Sequence, residues 1–395
     1  MKKFALVLSG GGFNGAFQIG ALNYIKKNWD SLESSRPPLD FDIVAGVSVG
    51  SLNGALIASQ QFDPLLDIWE KIRKNGVEEI YTSEFIDTAS TSEKVVFKVD
   101  PSQLFQQFLP DFKPDISFWK ILPLIFSKQK QRDFLAETLE EASGTFTSNF
   151  NNFKALADNH PLEKKLQALL KRSNVKDTLF RCGFVSLNSG AYHSIKASDF
   201  KTDNDFQQGV LASSAIPIVW KPIAEIKTNL GTFEQLIDGG IKNVSPLGDV
   251  LKDINQDPEN EYTLIIINCN AHEPVPGNYN QANIAQIALR ALTDLSLNEI
   301  FNNDIREYLR INDLLQQAGK DAVFYNYNYK QQKRTNQRLK AFKTIIIQPD
   351  SGALGDSLVS TKLLYDKRYF HGENKAIQAF NSLQKLGPQY QTILT

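Results

Sequence analysis

Cysteine is nearly absent from this 395-residue chain: Cys182 and Cys269 stand alone and far apart. Two such residues support neither a disulfide framework nor a zinc site, so the expectation is a pair of reduced, buried thiols in a cytoplasmic protein. Long apolar runs are missing too. No stretch approaches the roughly 20 residues that cross a bilayer. The amino-terminal run Phe4-Ala5-Leu6-Val7-Leu8 ends at Ser9-Gly10, short of the roughly 7–15 apolar residues of a secretory segment. Neither a signal peptide nor a transmembrane segment is expected. Charge of one sign is not in excess, with 43 Lys and Arg against 44 Asp and Glu. A near-neutral chain has no global field to attract nucleic acid, and none is expected as a partner. Histidine is scarce, and none of His160, His193, His272 and His371 lies in a recognisable motif. Repeats, low-complexity tracts and clear linkers are absent, so residues 1–395 are expected to form a single domain.

What is present is an ordinary globular composition, 42% hydrophobic and 22% charged. Within it one pentapeptide organises the rest, Gly46-Val47-Ser48-Val49-Gly50. It follows the apolar run Phe41-Asp42-Ile43-Val44-Ala45 and precedes Ser51-Leu52-Asn53-Gly54-Ala55, which reads as a helix. Strand, G-x-S-x-G, helix is the context of a nucleophile elbow, which exposes the serine hydroxyl at the carboxyl end of a strand. The alternative is an ordinary glycine-rich turn.

Upstream, the strand over 4–8 runs into Ser9-Gly10-Gly11-Gly12-Phe13-Asn14-Gly15, and a helix is expected from Ala16 to about Lys27. Strand–loop–helix–strand–elbow–helix implies a parallel, buried sheet. Both loops then lie at its carboxyl edge, where ligands bind in such folds. A serine nucleophile needs a base and donors for an oxyanion. The N–H of Val49 and those of Gly10, Gly11 and Gly12 are the candidate donors, the latter at the start of a helix whose dipole favours negative charge. Gly10, Gly12 and Gly15 also match G-x-G-x-x-G, but a dinucleotide site wants an acid at the end of the second strand. That strand ends in the elbow instead, and Asp40 and Asp42 lie at its other end.

From about 62 to 175 regularity falls, which reads as a large, mainly helical insertion. It holds a strand-like Val95-Val96-Phe97-Lys98-Val99 and helical patterns over 134–142 and 160–170. It also holds Phe118-Trp119-Lys120-Ile121-Leu122-Pro123-Leu124-Ile125-Phe126, followed by Lys128, Lys130 and Arg132. Aromatic, aliphatic, then basic is a composition suited to peripheral membrane contact, against the alternative of an insertion packing its own core. Residues 178–195 read as a hairpin, 209–216 as a short helix, and 262–268 and 343–348 as central strands. Long helical patterns cover about 282–318, a surface loop 330–340 and a last helix 374–386, giving a mainly helical region from about 280 to 395. Asp238-Gly239-Gly240 follows the apolar end of Phe233-Glu234-Gln235-Leu236-Ile237. Asp238 is either a base at a strand end or part of a common Asp-Gly turn.

Taken together, Gly10-Gly11-Gly12-Phe13-Asn14-Gly15, the elbow at Ser48 and Asp238-Gly239-Gly240 resemble the patatin-like phospholipase family. Ala212-Ser213-Ser214-Ala215-Ile216-Pro217, Asn243 and Pro246 add to the match, which covers residues 4–60 and 205–250. The resemblance implies a three-layer α/β/α sandwich with a mostly parallel sheet and a Ser48–Asp238 dyad. It implies an oxyanion hole at Gly10, Gly11, Gly12 and Val49, supported by Gly15, Gly46, Gly50, Gly239 and Gly240. The implied activity is acyl-ester hydrolysis of (lyso)phospholipids or related acyl lipids, without metal or organic cofactor. The family often has Arg or Lys at the position of Asn14, which removes a charge beside the loop. Two alternatives stand beside this reading. One is a Ser–His–Asp esterase completed by His272 or His371, and the other is a lipid-binding protein that has lost catalysis.

Overall fold

The computed structural model describes residues 2–92, 155–273, 276–280, 297–318, 323–328, 331–386 and 392–395, with single positions 96, 287, 290, 291 and 295. The strands are β1 (Lys2–Leu8), β2 (Ile43–Val47), β3 (Leu179–Ser186), β4 (Tyr192–Lys196), β5 (Ile223–Thr228), β6 (Gly231–Asp238), β7 (Glu261–Ile267), β8 (Tyr325–Asn328), β9 (Lys333–Arg338), β10 (Lys343–Ile347) and β11 (Thr392–Leu394). The helices are α1 (Gly15–Lys27), α2 (Val49–Ala58), α3 (Phe62–Asn75), α4 (His160–Leu169), α5 (Asp203–Ser213), α6 (Leu247–Ile254), α7 (Leu297–Gln317) and α8 (Lys362–Leu386).

Apolar side chains at successive positions of β1, β2, β7 and β10 point alternately to opposite faces of one sheet. Phe4, Leu6 and Leu8 share one face with Val44, Ile265 and Ile345, beneath α1, α2, α3 and α8. Ala5 and Val7 share the other with Ile43, Ile266 and Ile346, covered by α6 and α7. Both faces are therefore dry, and the result is a three-layer α/β/α sandwich. The sheet runs in the order β11-β10-β7-β1-β2-β3-β6-β5. It is parallel from β11 to β3, and β4 and β6 pair antiparallel with β3.

The pairing of β3 positions the site. Cys182 and Gly183 pair with both β2 and β4, whereas Phe184 and Val185 pair with both β4 and β6. A strand has two edges, so β4 occupies one and β2 and β6 share the other. On that shared edge β2 ends opposite Gly183 and β6 ends opposite Phe184, so the ends of β2 and β6 meet head to head.

Several expectations shift in detail. The helix foreseen at 209–216 begins at Asp203, because Thr202 and Asp205 form a capping box. The last helix begins at Lys362 rather than 374. Residues 330–340, read as a loop, include β9, which pairs Tyr327 with Arg334 and Tyr325 with Arg338. The region from 280 onward is not simply helical, since β10 and β11 extend the main sheet through parallel pairing. Of the 62–175 stretch, α3 and α4 are regular amphipathic helices burying Leu65, Trp69 and Ile72, and Leu162 and Leu166. The strand-like 95–99, the helix at 134–142 and the membrane-contact run 118–126 fall outside the described residues but for position 96. Among the described residues no helix is long and apolar enough to cross a membrane.

The elbow is closed by contact between backbones. A Cβ on Gly46 would lie 2.1 Å from the Gly50 carbonyl oxygen, and one on Gly50 would lie 2.2 Å from that of Leu8. Gly50→Ala is therefore expected to destabilise the fold by about 1–3 kcal/mol in urea unfolding, the range of overpacked substitutions. An unchanged unfolding midpoint would contradict this packing.

Candidate functional site

Ser48 sits between β2 and α2 with φ 55° and ψ −129°, a strained conformation for a residue bearing a side chain. Its N–H donates to the Ser213 carbonyl at 3.0 Å and to Ser213 Oγ at 3.1 Å. Ser213 Oγ in turn donates to the Gly183 carbonyl at 2.6 Å. Two residues on, the Ala215 carbonyl accepts the Asp238 N–H at 2.9 Å. Segment 213–215 thus ties the backbones of Ser48 and Asp238 to one turn, at the point where β2 and β6 meet. The sequence singled out this stretch as part of a motif but not as the bracket between the two residues. Its role depends on pairing between distant segments, which no local pattern encodes.

Asp238 is 3% exposed, and its Oδ1 accepts the Gly240 N–H at 2.7 Å. Burial pushes its carboxyl up to about 7, while hydrogen bonding from the Ser48 hydroxyl and the Gly240 N–H acts to lower it. A carboxyl so poised is half ionised near neutral pH and faces a serine hydroxyl, the arrangement a general base requires.

The glycine loop lies across from them. A Cβ on Gly10 would sit 3.1 Å from Ser48 Cβ, which accounts for glycine there. The Gly10 N–H donates to the Val244 carbonyl at 3.0 Å, and that of Phe13 donates to Ser357 at 2.8 Å. Between them, the N–H groups of Gly11 and Gly12 have no partner among the described residues. The Val49 N–H, first in α2, likewise has no partner among the described residues. Gly12 has φ 54° and lies so close to Ser357 that a Cβ would come within 2.4 Å of its carbonyl oxygen. Gly15 is pressed against Val49 and Trp69, and Gly239 against the Gly183 carbonyl.

Ser48 opens onto two cavities of different character. One, of about 320 Å³, is lined by Gly10, Gly11, Gly12, Asn14, Asp238 and Asn270 and also by the charged residues Glu273, Arg290, Asp350 and Asp356. The other is a narrow apolar crevice between α2, α3 and α4, lined by Val49, Leu52, Leu56, Leu65, Trp69 and Leu166. A buried chain of amides ties its wall to the glycine loop. Trp69 Nε1 donates to Asn53 Oδ1 at 2.9 Å, Asn53 to Gln18 at 2.8 Å, and Gln18 to the Ser9 carbonyl at 2.9 Å.

None of the four histidines lines either cavity. His193 packs at a tilt against Phe233, and His371 accepts the Asp350 N–H at 3.1 Å. The acids that a nucleotide site would need, Asp40 and Asp42, pair with Arg36 at 2.9 and 2.6 Å. They lie before β2, at the opposite edge of the sheet. Asn14 lines the polar cavity, and its buried Oδ1 has no partner among the described residues. Also among these, no cluster of three or more His, Cys, Asp or Glu residues is arranged to hold a metal ion.

The raised Asp238 carboxyl has a consequence for stability. Its folded value, about 7, exceeds the ordinary unfolded value of about 3.9. Its contribution is therefore full below about pH 4 and is lost as pH rises toward about 7. Asp238→Asn should gain stability relative to wild type between about pH 4 and about pH 8 in urea titrations. A difference independent of pH would contradict a raised, buried carboxyl.

No curated protein sequence matches the chain. Among solved structures it is similar to the crystal structure of VipD from Legionella pneumophila, at 12% identity and a TM-score of 0.38, covering 96% of this chain and 67% of that one. The family model described as patatin-like phospholipase matches residues 6–251. Spanning β1, the elbow and the Asp238 turn, that match covers more than half of the chain, which belongs to the patatin-like phospholipase family and carries a lipid acyl hydrolase domain.

Proposed function

We propose that the protein cleaves carboxylic esters of (lyso)phospholipids or related acyl lipids through a Ser48–Asp238 dyad and an acyl-enzyme intermediate. One observation carries this reading: a strained serine facing a buried carboxyl at the junction of an apolar crevice and a polar cavity. The acyl chain enters the crevice, and the alcohol portion lies in the polar cavity. Asp238 takes the Ser48 proton as Oγ attacks the carbonyl carbon. The oxyanion meets the N–H groups of Gly11, Gly12 and Val49. Gly10, whose N–H is already taken by Val244, serves as the close spacer that lets the loop approach Ser48. Collapse expels the alcohol with the proton from Asp238. Water then attacks the acyl-enzyme, gives its proton to Asp238 and releases the carboxylic acid, while the proton on Asp238 returns to Ser48.

The loop needs no lysine or arginine for this chemistry, because its donors are backbone groups at a helix start. Asn14 lines the polar cavity without bringing a charge to it. We also read residues 1–395 as one domain. Cys269, Asn270, Leu354 and Ser357, beyond the family match, line the same cavity as Ser48.

Ser48→Ala and Asp238→Asn, each verified as folded, are expected to lower kcat on acyl esters by about a thousandfold or more. The wild-type kcat/KM should rise with pH through about 7, as Asp238 ionises. Full activity in either variant would overturn the dyad. From Ser48 to Leu56 the chain rises about 12 Å at 1.5 Å per residue, and Leu56 and Leu65 line the crevice beyond Ser48. Leu56→Ala should shift the preferred acyl ester toward longer chains in a series from butanoyl to hexadecanoyl. An unmoved optimum would remove the crevice as the acyl site.

A further inference from the structure

The loop that supplies the oxyanion donors is held by a segment outside the family match. After β7 the chain continues Asn268-Cys269-Asn270. The Cys269 N–H donates to Ser9 Oγ at 2.8 Å, and Ser9 Oγ donates to the Gly10 carbonyl at 3.0 Å. Asn270 Nδ2 donates to the same carbonyl at 3.3 Å. Asn270 is fixed in turn, because its N–H donates to Asn268 Oδ1 at 2.9 Å and its carbonyl accepts from Asn268 Nδ2 at 2.5 Å. Cys269 fills the space behind Gly11, where a Cβ would lie 2.4 Å from its own.

These contacts determine where a donor points. In a trans peptide the C=O of one residue and the N–H of the next are antiparallel. Two donors holding the Gly10 carbonyl toward Asn270 and Ser9 therefore direct the Gly11 N–H the opposite way. That N–H has no partner among the described residues, and Gly11 lines the cavity beside Ser48.

We infer that Asn270 is a positioning residue for the acyl hydrolysis, acting by orienting the Gly10–Gly11 peptide as an oxyanion donor. This rests on the proposed function. An oxyanion donor acts in the transition state and much less in the ground state, so its loss appears in kcat rather than KM. Removal of a whole donor costs about a hundredfold to a thousandfold. A donor misdirected but still present, with Ser9 still holding the carbonyl, should cost less.

The test compares wild type, Asn270→Ala and Asn270→Asp on one acyl ester, with thermal unfolding recorded for each. Asn270→Ala is expected to lower kcat about tenfold with KM within about twofold and an unchanged Tm. Asn270→Asp keeps the shape but turns the donor into an acceptor facing a carbonyl, so its kcat should fall further than that of Asn270→Ala. Ser9→Ala combined with Asn270→Ala should approach the loss of a whole donor. Unchanged kcat in both single variants would overturn the inference, as would losses confined to KM or matched by a lowered Tm. A wild-type enzyme inactive on every acyl ester would instead count against the proposed function.

Discussion

The meeting of Ser48 and Asp238 follows from one edge of β3 being shared by two strands. β2 arrives parallel and ends opposite Gly183, and β6 arrives antiparallel and ends opposite Phe184. No loop of adjustable length separates the two ends. Ser48 and Asp238 are far apart in sequence, yet Asp238 is the last residue of β6 and Ser48 directly follows the last residue of β2. The turn at 213–215 then accepts a hydrogen bond from the backbone of both. Placing the pair at strand ends on a common neighbour supplies the rigidity that the proposed two-residue catalytic group would need, with no third side chain to orient the base.

The same arrangement sets the chemistry of Asp238. Head-to-head strand ends leave little room for water, and burial rather than a neighbouring charge raises its carboxyl toward neutrality. A histidine base reaches that range unaided, whereas an aspartate reaches it through desolvation. The folded state thus tolerates a carboxylate that burial disfavours, with two hydrogen bonds partly offsetting the cost. On the other side of Ser48, α2 starts with the Val49 N–H, which has no partner among the described residues, while its flank forms the apolar crevice. In the proposed mechanism the helix would contribute both a donor and a wall.

Much of this was legible in the sequence because it is local. Unbroken apolar runs such as Phe4-Ala5-Leu6-Val7-Leu8 mark strands covered on both faces. Gly46, Ser48 and Gly50 mark a turn in which backbones touch, and resemblance to a known family joined Asp238 to it. Less legible was whatever depends on pairing across the fold. Gly10 looked like an oxyanion donor, but its N–H meets Val244, a contact that only the folded loop reveals. The bracket through Ser213 and Ala215 and the support of the glycine loop by Asn270 likewise come from segments distant in sequence. β9 was hidden because Lys333, Arg334 and Arg338 give it a polar, loop-like composition, and its pairing with an aromatic partner strand overrides that.

The central claim is that Ser48 is an activated nucleophile rather than a serine in a tight turn. Treating the full chain with a fluorophosphonate and measuring intact mass, followed by peptide mapping, tests it most directly. The expected result is a single adduct on Ser48, formed in wild type and lost in Asp238→Asn. A chain that stays unlabelled, or one labelled elsewhere with Ser48 unmodified, would contradict it.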